Sequence, residues 1–139
     1  MSRSTISIVG IALIVSLSAC AADRSRQVPD FIPKRTEYDG RQVQLIGAYR
    51  RHQVGAKYLF SSTHDALAWN YSNSIDLGFA DLQDSIAVSE ELGPGPVCVE
   101  VIGLYEYLTE DVVLTGYQTG RNGIVDVSQI HVVADDNCA

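Results

Sequence analysis

Three cysteines, three histidines and several pairs of adjacent carboxylates hold most of the chemistry this 139-residue chain can offer. A metal site built from one stretch of chain needs histidine and cysteine ligands at short, regular spacings. His52, His64 and His131 lie far apart, and no His-x-x-x-His or Cys-x-x-Cys occurs. His64-Asp65 reads as the start of a helix, and His131 as a solvent-facing residue of the last strand. No Gly-x-Ser-x-Gly surrounds any serine. Gly93-Pro94-Gly95 lacks the phosphate-cradling spacing, and Pro96 after it donates no backbone N–H. Glu90-Glu91, Glu110-Asp111 and Asp135-Asp136 are sequence neighbours that point apart, and no Asp-x-Asp-x-Asp-Gly loop gathers them around calcium. The expectation is a non-enzymatic protein with no catalytic residue, no cofactor and no metal.

The cysteines divide into one and two. Arg3 supplies positive charge, residues 6–17 form an apolar run broken by Ser7, Gly10 and Ser16, and the small Ser18 and Ala19 precede Cys20. These are the parts of an export signal, and the run is shorter than the about 20 apolar residues a permanent span needs. Leu17-Ser18-Ala19-Cys20 resembles the lipobox of bacterial lipoproteins, an aliphatic residue, two small ones and a cysteine, cut by the lipoprotein signal peptidase. The resemblance implies cleavage before Cys20, a diacylglyceryl group on its sulfur and an acyl chain on its new amine. Several chains make a stable anchor where one holds weakly. By the same resemblance, Ala21 in place of an aspartate favours the outer membrane, with the domain facing the periplasm.

Cys98 and Cys138 then form an even pair in a compartment that permits disulfides. If residues 96–107 and 124–133 form a hairpin, antiparallel partners share a constant sum of residue numbers. Pairing Cys98 with Cys138 centres the turn on Gln118, inside the glycine-rich stretch 116–123. A structural disulfide is expected, contributing up to roughly 4 kcal/mol in the chain-entropy model.

The formal charge is −7. An acidic balance argues against nucleic acid, whose binding depends on Lys and Arg displacing counterions from phosphates. Eight of the ten basic residues lie between Arg24 and Lys57, and none between Tyr58 and Gly120. The split reads as a solvated surface. The alternative is that Arg24, Arg26, Lys34 and Arg35 lie against anionic head groups. The resulting division is a signal peptide over 1–19, a lipidated N-terminus and proline-bearing tether over 20–37, and one domain over 38–139.

Within that domain, Asp39-Gly40 is a turn, and residues 43–49 alternate as a strand with faces of unequal polarity. Residues 57–61 and 74–79 are short strands. Ser62-Thr63-His64-Asp65 has the spacing of a capping box ahead of a short helix over 65–69. Leu82 and Ile86, four apart beside Ala87, predict a second helix within 80–92. Strands follow over 97–107 and 124–133, the last changing phase in a way that predicts a bulge near Ser128. Val43-Gln44-Leu45-Ile46-Gly47-Ala48-Tyr49 returns as Val99-Glu100-Val101-Ile102-Gly103-Leu104-Tyr105. A glycine inside each copy marks a bend or a close backbone approach, as strongly coiled barrel strands require.

Five strands, a helix before the fourth and glycine bends in the first and fourth resemble the OB-fold. The expected fold is therefore mainly β, a small five-stranded OB-like antiparallel barrel with one or two short helices. In that fold the first-to-second and fourth-to-fifth loops frame the ligand face, which implies the segments 50–53 and 109–122. Arg50, Arg51, Tyr117 and Arg121 would gather at one rim, while Phe60, Trp69 and the strand tyrosines fill the core. The expected function is a lipid-anchored envelope binding module whose partner is another envelope protein or a glycan. The alternative is an inhibitor of a basic cell-wall hydrolase such as lysozyme, steered by the acidic surface.

Overall fold

The computed structural model describes residues 25–53, 55–107 and 122–139, with the backbone alone of 7–8, 113–114 and 117–118. Cys20 and Arg121 lie outside these, as does the side chain of Tyr117. Five strands form the barrel: β1 (Arg41–Arg51), β2 (Lys57–Phe60), β3 (Ser74–Leu77), β4 (Val97–Tyr107) and β5 (Asn122–Val132). β1 pairs antiparallel with β4 from Arg41↔Tyr105 to Tyr49↔Val97, and with β2 from Ala48↔Phe60 to Arg51↔Lys57. β2 pairs antiparallel with β3, and β4 with β5. The barrel closes where β3 meets β5 at Asp76↔Gly123 and Leu77↔Ile124. That seam is parallel, so the OB-like barrel is mixed rather than antiparallel throughout. Among the described residues there are three short α-helices where one or two were expected: α1 (Val28–Phe31), α2 (Thr63–Leu67) and α3 (Leu82–Leu92).

The repeated heptapeptide makes structural sense in this register. Its two copies pair with each other, Leu45 facing Val101, so that each glycine faces the first valine of the other copy (Gly47↔Val99, Val43↔Gly103). Valine, leucine and tyrosine at alternate positions point into the barrel, and the glycines let other chain segments press in. A Cβ on Gly47 would lie 2.6 Å from the Phe60 carbonyl oxygen and 2.8 Å from Val28 Cγ2, and one on Gly103 would strike Ile124 and the Asp126 carbonyl.

β5 solves its phase problem with two inserted residues. Ile102 faces Gln129 while Gly103 faces Val127, leaving Ser128 as the expected bulge. Leu104 faces Asp126 while Tyr105 faces Ile124, which makes Val125 a second. Each insertion stretches the period from two to three, so Ile124, Val127 and Ile130 all reach the core. The Ser128 hydroxyl donates to the Ile102 carbonyl at 3.1 Å, satisfying part of the interrupted ladder.

The expected tether is part of the fold over 26–38. Arg26–Gln27 lies parallel to Leu45–Ile46. Val28 and Phe31 are fully buried in the main core, Phe31 stacking edge-on with Tyr105 at 4.8 Å and beside Tyr38 at 5.1 Å. The Arg26 and Arg35 guanidinium groups lie over the Tyr38 and Tyr107 rings rather than standing free. α3 forms within the expected 80–92, but it buries Val88 and Leu92 and leaves Leu82 and Ile86 exposed. Ser7–Ile8, within the expected export signal, pairs with Gln129–Ile130 in the uncleaved chain.

Cys98 and Cys138 form the expected disulfide. The hairpin register differs from the one the pair implied: Val99↔Val132 and Tyr107↔Asn122 centre the connection near residue 115. Cys138 reaches Cys98 because a 3₁₀ turn over Asp135–Cys138 doubles back after β5. The bridge lies on the outer face of β1 and β4, where Ala48, Phe60, Ala66 and both cysteines make a second, smaller apolar cluster.

Candidate functional site

The second cluster runs out at the far end of β1 into a group of rings and cations. β1 continues past Tyr49, its last residue paired with β4, to Arg50 and Arg51, which pair with Tyr58 and Lys57 of β2. The Arg51 N–H also donates to the Pro94 carbonyl at 3.1 Å. Alternation sends Arg50 to the outer face and Arg51 toward α3. The tight turn after Arg51 is fixed by the His52 N–H donating to the Ala56 carbonyl (2.8 Å) and the Gly55 N–H to that of His52 (3.0 Å).

The other wall comes from α2 and the turn after it. Ser62 caps the helix, its Oγ accepting from the Asp65 N–H at 3.1 Å, as the capping-box spacing predicts. Asp65 also accepts from the side chains of Asn70 (3.0 Å) and Asn73 (3.4 Å), tying the start of the loop to its end. Trp69 lies between these anchors in the left-handed region, with φ of 53°, a conformation that a bulky side chain enters only when its surroundings force it. The loop thereby turns the indole onto β1. The Arg50 guanidinium lies 3.8 Å from its ring centroid, and the His52 ring stacks at 4.1 Å, within 5° of parallel. Arg50 Nη1 also donates to the Ala66 carbonyl at 2.6 Å, and the Tyr71 hydroxyl hydrogen-bonds with His52. The cleft beside this array has a volume of about 590 Å³ and is lined by Arg50, Arg51, His52, Gln53 and Trp69.

Burial alone would raise the Asp65 carboxyl, but hydrogen bonds from Asn70, Asn73 and Ser62, with His64 nearby, outweigh it and hold the pKa below the ordinary value. A folded-state pKa below the unfolded value of about 3.9 means stability that is present above that value and lost as pH falls through the folded one. Because solvent screens this partly exposed carboxylate, Asp65→Asn is expected to cost at most about 1 kcal/mol near neutrality. The gap from the parent should close as acid protonates the carboxylate, which urea titrations near pH 7 and near pH 2 would measure.

Of the four expected rim residues, Arg50 and Arg51 line this cleft. The loop bearing Tyr117 and Arg121 is rooted elsewhere: it leaves β4 at Tyr107 and rejoins at Asn122, beside Asp39, whose carboxylate accepts from the Tyr107 N–H at 2.9 Å. Its roots therefore lie at the Arg41 end of β1, opposite Arg50 and Arg51. The side chain of Tyr117 and the whole of Arg121 lie outside the described residues. Trp69, expected in the core, is half-buried at the cleft, and His52 is its stacking partner. Their signal was the cluster of ring types on either side of β2, which no single-element periodicity brings together.

His131, expected to face solvent, is mostly buried and pairs with Glu100 at 3.1 Å, and Ser25 donates to the same carboxylate. The carboxylate, not the imidazole, is central, so this is no serine triad; a triad needs histidine between the other two. Among the described residues no three of His, Cys, Asp and Glu converge as a metal site, and no helix is long and apolar enough to cross a membrane. Comparison with protein-family models and with curated protein sequences finds no match to this chain.

Proposed function

We propose that this protein is a lipid-anchored, non-enzymatic binding module of the bacterial cell envelope. Cys20 carries the anchor, in the outer membrane facing the periplasm, and the Arg50–Trp69–His52 cleft carries the recognition. The observation behind the reading is the stacked array itself, preformed at the end of β1 beside the open cleft. OB barrels bind oligosaccharides and oligonucleotides through the face of their second and third strands and the adjoining loops. The acidic chain disfavours nucleic acid, and flat ring faces beside two guanidinium groups suit a glycan that bears carboxylates. Little ordering is needed on binding, because Asp65 and the cap at Ser62 already hold the loop. The hydrolase-inhibitor alternative draws on the net charge of −7. A cationic cleft offers a basic enzyme no complementary surface.

Trp69 is the chain's one tryptophan, so its emission reports on this cleft alone. Titrating the protein with soluble peptidoglycan fragments is expected to change that emission saturably. Arg50→Ala and Arg51→Ala should each weaken binding about tenfold, equivalent to about 1.4 kcal/mol. No response to glycan, together with one stoichiometric protein captured by crosslinking in cells, would replace the glycan with an envelope protein. Inhibition of lysozyme by the purified protein would favour the alternative.

A further inference from the structure

On the other side of the β1–β2 turn lies a cleft of about 490 Å³, walled by that turn and by one face of α3. Lys57 forms part of it. Its phase along β2 is that of Leu59, so the strand carries a lysine at a core-facing position, and only 6% of it is exposed. The ammonium has neutral partners, donating to the Gly55 carbonyl at 3.1 Å and to Ser85 Oγ at 2.8 Å. Arg51 stands beside it, with its Nε on the Gly93 carbonyl at 3.2 Å. Among the described residues neither cation has a carboxylate within 4.0 Å.

Buried charges in proteins are ordinarily paired, because desolvating an ion is costly. Burial, and then the charge of Arg51, pull the Lys57 pKa below its usual value, as expected for a cation lacking its counter-ion. A further polar group waits nearby. The Tyr49 hydroxyl is fully buried with no hydrogen-bond partner, and the Ser89 hydroxyl faces it from α3 without meeting hydrogen-bond geometry.

The opposite wall is apolar. Leu82 and Ile86 line the same cleft at 71% and 42% exposure, the two large hydrophobic residues of α3 that the core does not take. Glu90, one turn beyond Ile86, also lines it and opposes a second negative charge.

We infer that this cleft is a second binding site, taking a small amphipathic monocarboxylate whose head pairs with Lys57 and Arg51 and whose apolar body covers Leu82 and Ile86. The site shares Arg51 with the aromatic cleft, but Lys57 and α3 belong to it alone, so variants at Lys57 and Ile86 test it separately from the glycan reading. Ligand binding supplies the missing counter-charge and covers the exposed apolar pair in one step.

The test uses the full chain and octanoate as probe, followed by thermal unfolding, with 1-octanol as the uncharged control. Octanoate is expected to raise the midpoint saturably and octanol not to do so. Lys57→Met should weaken the octanoate response at least tenfold. Ile86→Asp, at an exposed position that leaves the core intact, should weaken it likewise, and it keeps the test decisive if the lysine variant does not fold. An equal response to octanol, no saturable response to octanoate, or an unchanged response in Ile86→Asp would each overturn the proposal.

Discussion

Replacing Phe31 with alanine is expected to destabilise the protein by about 3–5 kcal/mol, the usual range for emptying a buried aromatic site. A domain of this size has roughly 5–15 kcal/mol in total, so the variant should be near the edge of folding. Phe31 is fully buried, and its ring meets Tyr105 from β4 and Tyr38 from the 3₁₀ turn before β1. One residue type therefore links three parts of the chain. Val28, three residues earlier, packs against the surface opened by Gly47, and Arg26–Gln27 completes the edge of β1. If residues 20–37 were a solvated tether, Phe31→Ala would change stability by no more than about 0.5 kcal/mol, as expected of an exposed substitution. Urea titration of Phe31→Ala against the exposed control Lys34→Ala separates the two outcomes without ambiguity.

The reason the tether reading arose is physical. Residues 26–38 contribute only a few apolar side chains, two prolines and no sustained period, because a two-residue strand and a 3₁₀ turn are too short to display one. The barrel strands were legible for the opposite reason. β1 and β4 are eleven residues long, with core-facing positions at every second residue over 43–49 and 99–105, and the glycines fall where a neighbour presses in. β5 was legible even in its irregularity, since a period stretched to three leaves its mark in the sequence at Ser128. α3 was half legible. Leu82 and Ile86 on one face, and Val88 and Leu92 on another, each have helical spacing; only the position of the barrel decides which pair is buried. The aromatic cleft was least legible. Its geometry depends on Trp69 adopting a positive φ and on a loop closed by Asp65, which are tertiary decisions. The loop over 108–121 starts and ends away from Arg50 and Arg51, because antiparallel pairing of β1 with β4 sends the end of β4 back to the start of β1. Lys57 could have been found, because a lysine in phase with Leu59 on a short strand is out of place unless something pairs with it.

Removing the disulfide is expected to be the second large effect, and it should reach the cleft. Cys98→Ala with Cys138→Ala should lower stability by about 2–4 kcal/mol, since the bridge closes a separation of 40 residues. Local consequences follow from where the bridge lies. After β5, the Val133 N–H donates to the Cys98 carbonyl at 3.0 Å, and beyond it the chain is held chiefly by Cys138 and a single 3₁₀ turn. Without the bridge this turn loses its attachment, and the cover over Ala48 and Phe60 goes with it. Trp69 packs against that same cluster, so its surroundings change as well. The double variant, or the parent under reductant, should therefore show tryptophan emission shifted to longer wavelength at temperatures where circular dichroism still reports an intact barrel. On the proposed glycan reading, affinity for peptidoglycan fragments should fall in parallel. Emission that stays unchanged until the barrel itself unfolds would mean that Arg50, His52 and the Asp65-closed loop hold the indole unaided. The outer cluster would then contribute to stability alone.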